Sequence, residues 1–178
     1  MKNPFILIIM LTVLSCCSKD GNSSNEQLPP ETQTGANTVG CLVNGKVFLP
    51  HAEGLSPDVN CFYQLIDGKY YFTMAFRDLR GGGITGVSIQ WAGANLVVGQ
   101  AFILSMNPVD NGDYLGGGGG YTLSLSNKYY TNTNQIGELK ITNLDPSKSI
   151  ISGTFWFNAI NTGGQKVEIR QGRFDWKY

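Results

Sequence analysis

The chain has 178 residues, and its 13 basic and 13 acidic side chains leave no formal net charge at pH 7. That balance, with no basic face visible in the sequence, disfavours nucleic-acid binding. One histidine and four cysteines also leave little material for a metal centre of the histidine and cysteine type.

The N-terminus reads MKNPFILIIMLTVLS. Lys2 supplies a positive start, and Phe5 to Leu14 is an apolar run of about ten residues, short of the roughly 20 that a membrane-spanning helix needs. It fits the core of a cleaved secretory signal over residues 1–15. The junction Val13-Leu14-Ser15-Cys16 resembles the lipobox of bacterial lipoproteins, which implies that Cys16 is lipidated and becomes the first mature residue. Cys17 is the alternative, in the frame Leu14-Ser15-Cys16-Cys17. Acyl chains contribute about 0.8 kcal/mol per buried CH₂, so a multiply acylated cysteine is a lasting membrane anchor. Ser18-Lys19-Asp20 resembles in part the signal that sends Bacteroidota lipoproteins to the outer face of the outer membrane, although Gly21 cuts the acidic run short.

Residues 16–39 are rich in Ser, Asn, Gly, Gln, Thr and Pro, with Leu28 and Val39 as the sizeable apolar residues after the cysteines. Such a segment buries too little surface to offset its ordering entropy. The reading is a flexible, disordered tether whose coil spans on the order of 25 Å.

From residue 40 to 178 the pattern is that of a single all-β domain. Asn44-Gly45 and Asp67-Gly68 stand between short apolar runs and predict tight hairpins, because type I′ turns need φ > 0 at both central residues. In KYYFTMAF, Tyr70, Phe72, Met74 and Phe76 share a face. Val87, Ile89 and Trp91 align in the next strand, and Tyr121, Leu123 and Leu125 align further on. Leu139 and Ile141 share a face before the turn at Asp145-Pro146-Ser147-Lys148, and Asn161-Thr162-Gly163-Gly164 turns the chain again. In the last strand, Val167 and Ile169 reach the same face as Phe174, Trp176 and Tyr178 only if a bulge at Gln171-Gly172 adds a residue. This spacing predicts an antiparallel β-sandwich or barrel of roughly eight to ten strands.

Candidate sites are few. Cys41 and Cys61 each begin a predicted hairpin strand and are candidates for a disulfide, which an envelope location permits. His51 sits in a loop with Glu53 and Asp58 and without a nucleophile motif, so no catalytic residue is assigned. Asp110, Asn111 and Asp113 cluster oxygen ligands that suit a calcium ion. The glycine runs RGGGITG and LGGGGGY lack the features of a phosphate loop and read as mobile connections. The aromatic residues are the main binding signal. Trp156 must oppose Phe155 and Phe157, and Tyr71 must oppose Tyr70 and Phe72. On an outer face both suit stacking on a sugar or a peptide side chain, and Tyr129-Tyr130 reads as a loop-borne pair of the same kind.

Gly137-Glu138-Leu139-Lys140-Ile141-Thr142, Ile151-Ser152-Gly153-Thr154-Phe155-Trp156-Phe157 and Val167-Glu168-Ile169-Arg170-Gln171-Gly172-Arg173-Phe174 together are similar to a family of uncharacterised Bacteroidota lipoproteins. The similarity is strongest over residues 137–176. It implies an all-β fold and an envelope address, but no catalytic residues. The expected function is a non-catalytic binding or accessory module for a glycan, a peptide or a protein partner, attached to the membrane by its N-terminal lipid. The alternatives are an envelope hydrolase acting on polysaccharide and a structural subunit of an outer-membrane complex. A carbohydrate-cleaving site would need two carboxylates across a cleft, which sequence alone cannot pair.

Overall fold

The computed structural model describes residues 26–108 and 115–178. The strands in chain order are β1 (Thr38–Val43), β2 (Lys46–Phe48), β3 (Val59–Ile66), β4 (Lys69–Asp78), β5 (Thr85–Gly93), β6 (Ala101–Met106), β7 (Gly116–Ser124), β8 (Asn127–Tyr130), β9 (Gly137–Asp145), β10 (Ile150–Ile160) and β11 (Lys166–Lys177). They form one sheet of 11 strands in the order β2-β1-β11-β10-β9-β6-β7-β5-β4-β3, with β8 bridging β7 and β10. Among the described residues the helical content is a single 3₁₀ turn at Arg80–Gly82, and no helix is long and apolar enough to cross a membrane.

The sheet curls so that its inner face meets itself. Phe72 on β4 stacks on Phe174 of β11 with ring centroids 5.6 Å apart, and Phe76 meets Phe155 of β10 at 6.3 Å. These strands are far apart in sheet order, so the contacts describe a barrel-like body around one continuous core. The turns follow the sequence. Asn44 and Gly45 have φ of 48° and 80°, Asp67 and Gly68 of 48° and 78°, and each pair joins two antiparallel strands. Phe72, Met74, Phe76, Val87, Ile89, Leu139 and Ile141 are buried on the inner face, as strand alternation requires.

Three expectations are corrected. First, LGGGGGY is not a mobile connection, because Gly116–Gly120 begin β7 in the interior of the sheet. A Cβ on Gly119 would meet the Phe157 ring at 2.8 Å, and one on Gly117 would meet Ile103 O and Leu104 Cδ2 at 2.7 Å. The missing side chains let β6 and the Phe157 ring close in, and among the described residues β6 and β7 are the one parallel pair of strands in a sheet expected to be antiparallel throughout. The ladder between β7 and β8 then shifts register between Thr122 and Ser124. Leu123 and Leu125 are left exposed rather than aligned with buried Tyr121.

Second, the tether expected over 16–39 gives way, over residues 26–37, to a segment docked on the domain. Thr34, Gly35 and Ala36 direct consecutive backbone N–H groups at the carboxylate of Asp175, at 2.9, 2.8 and 3.1 Å. Asn143 Nδ2 donates to Gln33 O, and the Lys177 N–H donates to Asn37 Oδ1. Hydrogen bonds supply the ordering that the segment's sparse apolar residues do not.

Third, Cys41 and Cys61 are free thiols and the expected disulfide is not made. Cys41 on β1 lies opposite Phe48, whereas Cys61 on β3 lies opposite Met74. Both pack as small hydrophobes. Burial pushes both thiols upward, that of Cys61 to about 12, so neither is a reactive thiolate at neutral pH.

The bulge expected in the last strand is present. Phe155 pairs with Gly172 and Phe157 with Ile169, so Trp156 faces a step of two residues on β11. Val167, Ile169 and Phe174 are buried, and Trp176 and Tyr178 pack against the core. The positive φ falls on Gln171 at 51°. Gly172 is needed because a Cβ there would lie 2.4 Å from the Phe155 ring.

Candidate functional site

Strand alternation and the bulge together build the most distinctive outer surface. Phe155 and Phe157 point into the core, so Trp156 points out and is 36% exposed. Its neighbours across the sheet are Glu138 on β9 and the Arg170–Gln171 step of β11. The Arg170 guanidinium sits 5.5 Å from the indole centroid. It is fixed there by Phe157 O at 3.0 Å, Ile169 O at 2.9 Å and Asn158 Oδ1 at 2.6 Å, and Glu168 lies at 3.5 Å. A cation held over the ring contributes roughly 0.5–2 kcal/mol and, above all, holds the indole in place.

Beside the ring runs a groove of about 320 Å³ lined by Glu31, Glu138, Thr154, Trp156, Gln171 and Arg173. Arg173 Nε donates to Gln171 O at 3.1 Å, and its guanidinium lies 3.9 Å from Glu31. Glu31 comes from the docked N-terminal segment, so that segment forms one wall. A rigid indole flanked by carboxylates, a guanidinium, an amide and a hydroxyl can stack on the apolar face of a ring and hydrogen-bond its substituents.

The other aromatic candidates do not join it. Tyr71 lies half-buried on the outer face of β4, opposite Gln64 and Ala92. Tyr129 is a correction: it is buried, its ring 5.8 Å from that of Tyr121. NKYY forms β8 rather than a loop, so its two tyrosines face opposite ways. Tyr130 covers Gly120, where a Cβ would meet its ring at 3.2 Å. It also lines a second cavity of about 360 Å³ with Asn127, Lys128, Asn132, Asn161 and Thr162. Burial pushes its phenol upward.

His51 meets acids other than its loop neighbours Glu53 and Asp58. Its imidazole lies 3.6 Å from Glu26 and 3.8 Å from Asp78, and Arg80 bridges the same two acids at 3.4 and 2.6 Å. The hydrogen bond from Arg80 is the main cause holding the Asp78 carboxyl below its usual range, with the His51 charge a lesser one. This is a salt-linked corner. Among the described residues no group of three or more His, Cys, Asp or Glu is placed to hold a metal ion. Cys16, Cys17, Asp110, Asn111 and Asp113 lie outside the described residues.

Asp175 escaped the sequence reading. It alternates with Phe174 and so points outward, yet it is 1% exposed because residues 32–36 wrap over it. Besides the three backbone N–H groups it accepts from Thr32 Oγ1 at 2.7 Å, Ser152 Oγ at 2.8 Å and Thr34 Oγ1 at 3.4 Å. Burial pushes its carboxyl upward, but these donors outweigh that and hold it far below the usual carboxylate range. The available signal was Thr-Gly-Ala-Asn at 34–37, where Gly35 and Asn37 take positive φ. Such a turn makes a nest of N–H groups for an anion.

No curated protein and no solved structure matches the chain at a significant level. A family model described as a domain of unknown function (DUF6252) matches residues 87–175, from within β5 to Asp175, and so takes in Glu138, Trp156, Arg170 and Arg173 of the groove. That match covers 89 of 178 residues, half of the sequence, and the chain belongs to this family.

Proposed function

We propose that the protein is a lipid-anchored domain of a bacterial envelope, of the outer membrane in the first instance, which binds glycan without catalysis through the Trp156 groove. The observation that carries the binding part is the exposed indole, pinned by Arg170 beside a groove rich in hydrogen-bonding side chains. A sugar ring offers an apolar C–H face to such an indole and hydroxyls to Glu138, Thr154, Gln171 and Arg173. The ring is already held, so little side-chain entropy is lost on binding. The anchor rests on the resemblance of residues 13–16 to a lipobox. The similarity of residues 137–176 to Bacteroidota lipoproteins supports the same address.

Two experiments test the two halves. On a glycan array followed by calorimetry of the best hits, Trp156→Ala is expected to weaken binding at least about tenfold, as truncation of a central aromatic anchor does. Equal binding by both proteins would refute the assignment. In cells fed labelled palmitate, the product should carry label that Cys16→Ser removes. Label that persists in Cys16→Ser and disappears in Cys17→Ser would move the anchor by one residue, and an unlabelled wild type would remove it.

A second reading draws on Glu31 and Glu138, two carboxylates that line the same groove. A pair flanking a sugar is what glycoside hydrolysis needs. Release of reducing ends during the glycan titration would favour that reading over simple binding.

A further inference from the structure

The two ends of the sheet are protected very differently. β2 closes one end with three residues, carries Lys46, and is soon followed by Pro50. Shortness, a lysine and a nearby proline are devices by which proteins blunt an edge. β3 closes the other end with the eight residues Val59-Asn60-Cys61-Phe62-Tyr63-Gln64-Leu65-Ile66, which include no charge and no proline. Its ladder to β4 runs from Val59 to Ile66 without a bulge. Among the described residues the only backbone hydrogen bonds of β3 are to β4. Alternate N–H and C=O groups therefore face away from the sheet. Beside this edge Asn60 and Gln64 are exposed, and Leu65 and Ile66 are 58% and 46% exposed.

A long, neutral, regular edge with apolar side chains is a template for strand addition. We infer that β3 pairs antiparallel with β3 of a second copy of this chain, so that two barrel-like bodies form a two-fold dimer through one continuous ladder. An antiparallel ladder is the arrangement that two identical strands adopt about a two-fold axis, each using the same surface. Because β3 is uncharged, its two copies do not repel each other. Pairing centred on Tyr63 sets Leu65 of one copy opposite Cys61 of the other, so residues of the inner face meet their like. The same register brings Asp58 of each copy to the Asp67–Lys69 turn of the other. Neither Asp58 nor Lys69 is in an ion pair with a described residue, so the dimer sets Lys69 beside Asp58 as a partner of opposite sign, with Asp67 of the same turn as its like-charged neighbour.

The test is sedimentation of the purified full chain under reductant, at a large excess of detergent micelles, compared with Gln64→Lys/Leu65→Lys. The wild type is expected to be a concentration-dependent dimer, and the double variant to dissociate at least tenfold more readily. Circular dichroism and urea midpoints establish that the variant is folded. Hydrogen exchange supplies a measurement free of substitution, since β3 amides should lose protection when the wild type is diluted through its dissociation range. A monomer at all concentrations overturns the dimer, even if β3 then captures an unrelated peptide. So does a dimer indifferent to the two lysines, or β3 exchange that does not change on dilution.

Discussion

Replacing Asp175 by Asn should cost about 2–3 kcal/mol of stability, the upper part of the range for losing hydrogen bonds to a buried charged group and leaving their donors unpaired. The variant keeps the shape of the side chain, so the loss reports charge and acceptor count rather than volume. One oxygen becomes an NH₂ group, which points a donor at a site where Thr32 Oγ1, Ser152 Oγ and the N–H groups of Thr34, Gly35 and Ala36 all donate. Buried donors then go unpaired. Urea denaturation at pH 7 measures the loss, and hydrogen exchange should show residues 32–37 released first. A change below 1 kcal/mol would mean that the segment is held by something else.

The acid limb supplies a second reading of the same variant. The folded carboxyl of Asp175 titrates below its unfolded counterpart. Its contribution is therefore complete above the unfolded pKa, near 4, and declines as pH falls below that value, where the unfolded chain takes up the proton first. Asp175→Asn lacks this slope, so the stability difference between wild type and variant should narrow steadily below about pH 4. Asp78 and Asp145 are also held low by their hydrogen bonds, but both proteins share them.

The other large effect is expected at Gly137, the first residue of β9. A Cβ there would lie 2.3 Å from both Trp156 O and Phe157 Cβ. The obstruction is largely backbone, which no rotamer change relieves. Gly137→Ala should cost about 3 kcal/mol, the upper part of the usual range for overpacking, and should also shift the strand that presents Trp156. Gly45→Ala is the control: that site is open but has φ of 80°, so only backbone strain of about 1 kcal/mol is imposed. Thermal or urea midpoints of the two variants separate the effects. Equal losses would show that β10 yields at no cost.

Much of the inner face could be read from the text because two simple rules act there without competition. Asn-Gly and Asp-Gly demand their turns, and alternation in KYYFTMAF and SGTFWFNAI sorts core from surface. Trp156 was found by the same logic. Its groove was not, because Glu31 and Arg173 come together only through the docking of residues 26–37, about 140 positions from their partners. Propensity misled at two places. A glycine run scores poorly as strand, yet β7 needs bare backbone beside Phe157. A segment poor in apolar residues suggests disorder, yet one carboxylate with many donors suffices to order it. The paired cysteines misled for a simpler reason: β1 and β3 do not neighbour each other in the sheet.

The pairing of β1 with β11 also sets a timetable. Strands met early in the chain must wait for residues 166–177 before that ladder can close, and the N-terminal clasp waits for Asp175. During synthesis the β1 edge therefore stays open until β11 has emerged. Long-range closure of this kind is slow and leaves partly made chains sticky, so a molecule cut short before β11 loses its seam and its clasp together.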